Sequence, residues 1–347
     1  MKKLLLPILL LLIASGCGNS KETETNSTTV PEEKIDIYTT VYPLTYFTER
    51  IGGERVNVQS IYPAGSNEHT FEPTQQDMIE LAEADAVFYI GLGLEGFIDN
   101  AKKTLNNENV EFIATAESIS EADLGEGHSH EDDHDHEEET EEHDRNHEEG
   151  TKEHDHEHDH DHEEETEEAH DHSHEVDPHV WISPVLSQQL AESIKDELIE
   201  RDAGNTEEYE ANYELLIEEL KELDTSFKEM AEAAEQKTFF VSHAAFGYWA
   251  QTYDLNQVAV AGLNSQDEPS QQELVNIVEQ AGELNIEYIA FEQNISSRLT
   301  EVIQKEIGAE AVQLHNLSVL TQEEVDTDAN YFSLMQENLE LLEKILN

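Results

Sequence analysis

Apolar and polar positions divide the chain into stretches of different period. An apolar run spans Leu4 to Ile13, and residues 18–33 then show no hydrophobic period at all. From Lys34 onward, short apolar runs of strand length alternate with amphipathic stretches of helical period. The pattern predicts strands over Ile35–Val41, Val56–Tyr62, Ala86–Ile90 and Val110–Thr115, with helices over Leu44–Ile51, Gln75–Ala84 and Phe97–Leu105. Residues 121–175 then carry almost no apolar side chain, and a stretch of that kind has nothing from which to build a core. Beyond Trp181 the helical period returns over Pro184–Arg201 and again over Thr206–Gln236, the second stretch holding neither Pro nor Gly. A second alternating set follows: strand Thr238–Ser242, helix Ala244–Tyr253, strand Gln257–Ala261, helix Gln271–Leu284, strand Ile286–Phe291, helix Arg298–Ile307, strand Ala311–Leu314 and helix Tyr331–Leu346.

Strands that alternate with helices imply parallel sheets covered by helices, hence an α/β fold. Two such sets predict two lobes, residues 34–204 and 237–347. The helix over 205–236 is longer than one lobe needs, at about 1.5 Å per residue, and reads as a backbone joining them. Asn205 is positioned to cap it, with Glu208 at the third helical residue.

The N-terminus reads as an export signal over residues 1–16, with Lys2 and Lys3 preceding the apolar run and Ala14-Ser15-Gly16-Cys17 after it. The run is too short to span a bilayer, which takes about 20 residues. Cys17 is the only cysteine, so no internal disulfide forms. Its setting resembles a bacterial lipobox, in which the cysteine becomes the lipid-bearing first residue, and residues 17–33 then form a lipid-anchored tether.

Charge narrows the partners. A net charge of −62 excludes nucleic acid, whose phosphates would be repelled. Residues 121–175 hold 27 acidic and 2 basic residues together with 14 of the 18 histidines. The alternation of imidazole and carboxylate at His154, His156, His158, His160 and His162 predicts a disordered insertion that binds several metal ions weakly.

Outside the insertion only His69, His179, His243 and His315 remain. His69 lies beyond the strand ending near Tyr62, His243 directly follows a strand, and so does Glu292. His179 sits in Asp177-Pro178-His179-Val180-Trp181, where the proline fixes a turn. Parallel sheets bind ligands at the carboxyl ends of their strands, so these positions predict convergence on one cleft. Three imidazoles and a carboxylate form a closed tetrahedral set suited to zinc, whereas a catalytic zinc keeps one position open for water. Manganese prefers oxygen donors. His315, beside Asn316 and Leu317, reads as part of a surface loop. The run Gly91-Leu92-Gly93-Leu94-Glu95-Gly96 fits a dinucleotide fingerprint in spacing but follows the third strand rather than the first, and no acidic residue ends the next strand to hold a ribose.

The stretches YPAGSNEHTFEPTQQD, GLGLEGF, DPHVWISP, SHAAFGYWAQTYDL, GLNSQDEPS and FEQNIS, in this order, resemble the zinc-binding solute-binding lipoproteins of ABC importers, the ZnuA-like branch of the cluster A-I (TroA-like) family. The resemblance covers nearly all of residues 34–347. It implies a TroA-like pair of lobes joined by a backbone helix and a monomeric, non-enzymatic protein on the extracytoplasmic face of the cell membrane, handing Zn2+ to a membrane permease. It implies His69, His179 and His243 as zinc ligands with Glu292 as the fourth, and Glu68 as the rival for that place. A manganese-binding homologue and a metal-dependent surface adhesin are the other readings of the same scaffold, with a zinc hydrolase further off.

Overall fold

The computed structural model describes residues 34–124, 176–293 and 297–347, so the export signal, Cys17 and all the histidines of the insertion lie outside the described residues. In chain order the first half runs β1 (Ile35–Thr39), α1 (Tyr42–Gly52), β2 (Val56–Ser60), α2 (Gln75–Glu83), β3 (Ala86–Tyr89), α3 (Ile98–Thr104) and β4 (Glu111–Ala114). Two helices follow the insertion, α4 (Pro184–Arg201) and α5 (Thr206–Ala233). The second half runs β5 (Thr238–His243), α6 (Gly247–Tyr253), β6 (Asn256–Ala261), α7 (Gln271–Glu283), β7 (Tyr288–Phe291), α8 (Arg298–Ile307), β8 (Glu310–Gln313), α9 (Gln322–Asp326) and α10 (Tyr331–Ile345).

The strands form two four-stranded sheets of order β2-β1-β3-β4 and β6-β5-β7-β8, every pairing parallel. The two orders are the same topology used twice. In each, the chain moves to one side of the first strand and then crosses to the other, which opens a crevice at the carboxyl ends between β1 and β3 and between β5 and β7. Strand alternation sorts the side chains of β5. Phe239 and Val241 join the large core that runs through both halves, while Phe240 points into a smaller core with Val258, Val260, Ile277, Ile289 and Ile303 beneath α7 and α8.

Helix α5 buries Tyr209, Leu216, Leu220, Leu223, Phe227, Met230 and Ala231 along one stripe. That spacing of three and four keeps the stripe on a single face over the helix length. The helix packs against α1 and α4 of the first half and α6 and α10 of the second, and Phe227 meets Trp249 and Tyr253 of α6 at ring separations of 5.1 and 5.5 Å. Helix α10 returns to the first half, where the Tyr331 ring stands 5.0 Å from Phe47 of α1. Residues Lys34–Asn347 therefore cluster as one compact unit although they hold two sheets.

Several expectations are corrected. Asn205 does not cap α5 through its side chain. Its backbone is not extended, so the amide cannot reach over the first turn, and it donates instead to Asp202 Oδ2 at 2.7 Å. Glu208 accepts from Arg55 Nε at 3.2 Å. The helix expected from Ala244 starts at Gly247, because Ala244 N–H donates to Gly262 O and Ala245 N–H to His243 O. The sequence pattern missed α9, whose capping box joins Thr321 and Glu324. The loop of His315, Asn316 and Leu317 is buried rather than on the surface, the three residues being 6%, 1% and 0% exposed. Asn338 of α10 holds it down by accepting from His315 N–H and donating to His315 O, both at 2.8 Å.

Candidate metal centre

Three imidazoles, His69, His179 and His243, come together with one ring nitrogen from each lying within 4.8 Å of the others. His69 Nε2 and His179 Nε2 are 3.4 Å apart, and the three ring centres are separated by 4.9 to 5.4 Å. Each imidazole is aimed by its own element.

His243 is the last residue of β5, and Glu292 follows β7 directly, so the two straddle the crevice of the second sheet. Glu292 Oε2 lies 2.9 Å and Oε1 3.0 Å from His243 Nδ1, and Ser242 Oγ donates to Oε1 at 3.1 Å. A proton on Nδ1 serves that carboxylate and leaves Nε2 as the nitrogen a metal would take once it gives up its own proton. Nε2 is 3.0 Å from the Leu263 carbonyl. Burial pulls the His243 pKa down, but the charge of Glu292 and its hydrogen bond outweigh this and push it up to about 9. A metal arriving at neutral pH must therefore displace a proton from this ring.

His179 caps a short 3-10 turn, Val180–Ile182, that leads into α4. Asp177 Oδ1 accepts its backbone N–H at 2.9 Å and stands 2.8 Å from Nδ1, again turning Nε2 inward. The turn itself is anchored on all sides. Trp181 Nε1 donates to Asn316 O, Trp249 Nε1 to Ile182 O and Tyr248 Oη to Asp177 O, each at 2.7 Å. Gly247 is needed here, because a Cβ at that position would meet Asp177 Oδ2 at 2.7 Å.

His69 lies on the loop after β2, where its N–H donates to Asn67 Oδ1 at 3.0 Å and Asn67 Nδ2 donates to Ser265 Oγ at 3.1 Å. Burial, with the two neighbouring imidazoles adding to it, lowers its pKa to about 2. It is held neutral and ready to ligate. Glu68 beside it is 2% exposed, with Oε1 3.9 Å from His69 Nε2 and Oε2 buried without a hydrogen-bond partner. Burial pushes its carboxyl up.

The arrangement thus brings together His69, His179, His243, Glu292 and Glu68. Sequence reasoning gave no role to Asp177 or Asn316. The carboxylate two residues before His179 was visible in the motif, whereas Asn316 carries no local signal, since only the chain path after β8 takes it to the centre. His315 stays out of the cluster. Its Nδ1 accepts from Leu317 N–H at 2.8 Å, and its Nε2 stands 3.0 Å from Glu324 Oε1. The Gly91–Gly96 loop turns with positive φ at Gly91, Leu92 and Gly93. Glu95 Oε1 accepts from Ile90 N–H at 2.8 Å and Oε2 from Gly91 N–H at 3.1 Å. A side-chain carboxylate takes the donors that a phosphate would need, and the loop is structural.

Two parallel-sheet halves spanned by one long helix, with three inward-facing imidazoles where the halves meet, define a metal-binding member of the two-lobed solute-binding proteins. The chain belongs to the family described as zinc-uptake complex component A, periplasmic (ZnuA), whose profile matches residues 37–345. That family consists of binding proteins, not enzymes. The chain is 34% identical over 335 residues to the high-affinity zinc uptake system protein ZnuA of Bacillus subtilis, covering 96% of this chain and 94% of that protein. It is 33% identical over 346 residues to the zinc-binding lipoprotein AdcA of Streptococcus pneumoniae, spanning 99% of this chain but 61% of that longer protein. Among solved structures, the Zn(II)-bound ZnuA-like domain of Streptococcus pneumoniae AdcA is similar at a TM-score of 0.67 and 30% identity, over 90% of this chain and 99% of that one.

Proposed function

We propose that the protein captures Zn2+ outside the cytoplasm through His69, His179 and His243 and delivers it to the membrane permease of an ABC transporter. The observation that carries this reading is the 3.4 Å between His69 Nε2 and His179 Nε2. Two nitrogens bonded to one zinc at about 2.05 Å in a tetrahedral shell lie about 3.3 Å apart. The two rings already stand at the edge length the ion requires. Nitrogen donors in this number also favour zinc over manganese.

The fourth ligand is a carboxylate. The sequence expectation names Glu292 first and Glu68 second, and the hydrogen bonds favour Glu68. Both oxygens of Glu292 are engaged with His243 Nδ1, whereas Glu68 Oε2 is buried with no partner. In this division of labour Glu292 orients His243 and Glu68 meets the metal.

Residues 1–16 direct export, Cys17 carries a lipid that holds the monomeric protein at the extracytoplasmic face of the membrane, and residues 17–33 are the tether. No helix among the described residues is long and apolar enough to cross a membrane. The imidazoles of the insertion, His154 to His162 among them, bind further zinc weakly. Elemental analysis and a chelator-competition titration of the purified protein test the assignment. One tightly held zinc per chain, retained when manganese is offered in excess, is the expected result; equal retention of manganese contradicts it.

A further inference from the structure

Asn316 lies beneath the centre, 1% exposed, and each of its polar groups has a partner. Its Oδ1 accepts from Ser318 N–H at 3.0 Å, Ser318 Oγ at 2.8 Å and Gln293 Nε2 at 2.8 Å. A backbone N–H can only donate, so the oxygen of the amide must face Ser318 and the orientation of the side chain is not free. Its NH2 group is thereby directed at the other side. There it donates to Glu292 Oε2 at 2.7 Å and to Glu68 Oε1 at 3.0 Å. The backbone is fixed as well, with the N–H donating to Gln293 Oε1 at 3.2 Å and the carbonyl accepting from Trp181 Nε1 at 2.7 Å.

We infer that Asn316 is the positioning residue that ties together the two carboxylates of the centre, one from each lobe, and so decides which of their oxygens is left for the metal. This inference rests on the zinc-capture reading above. Glu68 comes from the loop after β2 and Glu292 from the end of β7. Both are buried, and two carboxylates facing each other in a site of low dielectric repel. The two N–H bonds of one amide stand between them and give each an acceptor role. With Oε2 of Glu292 bonded to Asn316 and Oε1 to Ser242 and His243, only Glu68 Oε2 has no partner. Asn316 acts on the metal only through these carboxylates, and no metal-ligand bond of its own is required.

A double-mutant cycle on zinc affinity tests this, since residues that act as one unit show non-additive effects. Asn316→Ala is expected to weaken zinc binding by roughly 10- to 100-fold, the usual effect of losing a partner behind a metal ligand. In a Glu68→Ala background the same change is expected to cost clearly less, because one of the two carboxylates it positions is gone and only the bond to Glu292 remains to be lost. A full multiplicative loss in that background would show Asn316 acting elsewhere and overturn the inference, as would wild-type affinity in the single variant. If Asn316→Ala does not fold by circular dichroism, Asn316→Asp serves in its place, keeping the oxygen that accepts from Ser318 and Gln293 and replacing the NH2 donors with an acidic oxygen that repels both carboxylates. Its effect must likewise depend on Glu68. His179→Ala run alongside separates the two levels: unchanged zinc affinity there contradicts the site itself, whereas a large loss there with additivity at Asn316 contradicts only the positioning role.

Discussion

At the scale of single residues, two of the three imidazoles at the centre are held from behind by a carboxylate, and the third, His69, is placed through its backbone N–H. Asp177 at Nδ1 of His179 and Glu292 at Nδ1 of His243 fix which nitrogen faces inward before any ion arrives. His179→Ala removes a proposed ligand and is expected to weaken zinc binding at least about 100-fold, whereas Asp177→Asn leaves that imidazole but loosens its aim and is expected to cost roughly 10- to 100-fold. Competition with a chelator of known affinity measures both, and an Asp177→Asn variant as weak as His179→Ala would show that Asp177 does more than orient the ring. The three histidines were legible in the sequence because strand ends and a proline-fixed turn announce where side chains can converge. The rank of the two carboxylates was not. In the reading proposed above it depends on which oxygen Asn316 engages, and a residue reached only through the folded path of the chain leaves no trace in local spacing.

At the scale of elements, α5 holds the two halves through its buried stripe. Leu220, fully buried at the middle of that stripe, has no way to be replaced by solvent. Leu220→Ala is expected to destabilise the protein by about 2 to 5 kcal/mol, read as a lower midpoint in urea. A change under about 0.5 kcal/mol would mean the helix is not part of the shared core. The segment from β8 to α9 carries a pH dependence of its own. Glu324 is pushed up by burial, but His315 and the Thr321 N–H outweigh this and hold its carboxyl down to about 2, from an ordinary value of 4.5. A depressed carboxyl stabilises the fold above its unfolded pKa and loses that contribution as pH falls through the folded one. Stability from this group is therefore complete above about pH 4.5 and lost between there and about pH 2. Glu324→Gln is expected to flatten that part of the stability-against-pH curve, and an unchanged slope would contradict the pairing. Helix periods were easy to read where caps and apolar stripes agree, as for α4, which runs from Pro184 to Arg201 as predicted. For α5 the period gave the first residue, Thr206, correctly, but the expected cap failed because Asp202 competes for the Asn205 side chain; α9 is too short to show a period.

At the scale of the whole molecule, the same sheet topology occurs twice, and the centre draws His69 from the loop after β2 of the first half and His243 from the end of β5 in the second. Leu124, at the start of the insertion between β4 and the His179 turn, packs at the margin of the core, and the sequence from 125 to 175 holds almost no apolar side chain from which to extend that core. Replacing residues 125–175 by a short flexible linker is therefore expected to leave the fold and the tight site intact, because loop-closure entropy changes only logarithmically with length, while the additional weak zinc sites disappear. Loss of the tight site on deletion, or retention of the weak ones, would contradict the two-tier reading. Zinc is proposed to sit among His69, His179 and His243. A crystal structure of the protein loaded with one equivalent of zinc tests it most directly. The expected result is a single tetrahedral ion bonded to one nitrogen of each of these three rings at about 2.0 to 2.1 Å, with a carboxylate oxygen completing the shell; an ion held elsewhere, with the three rings left unligated, would contradict the assignment.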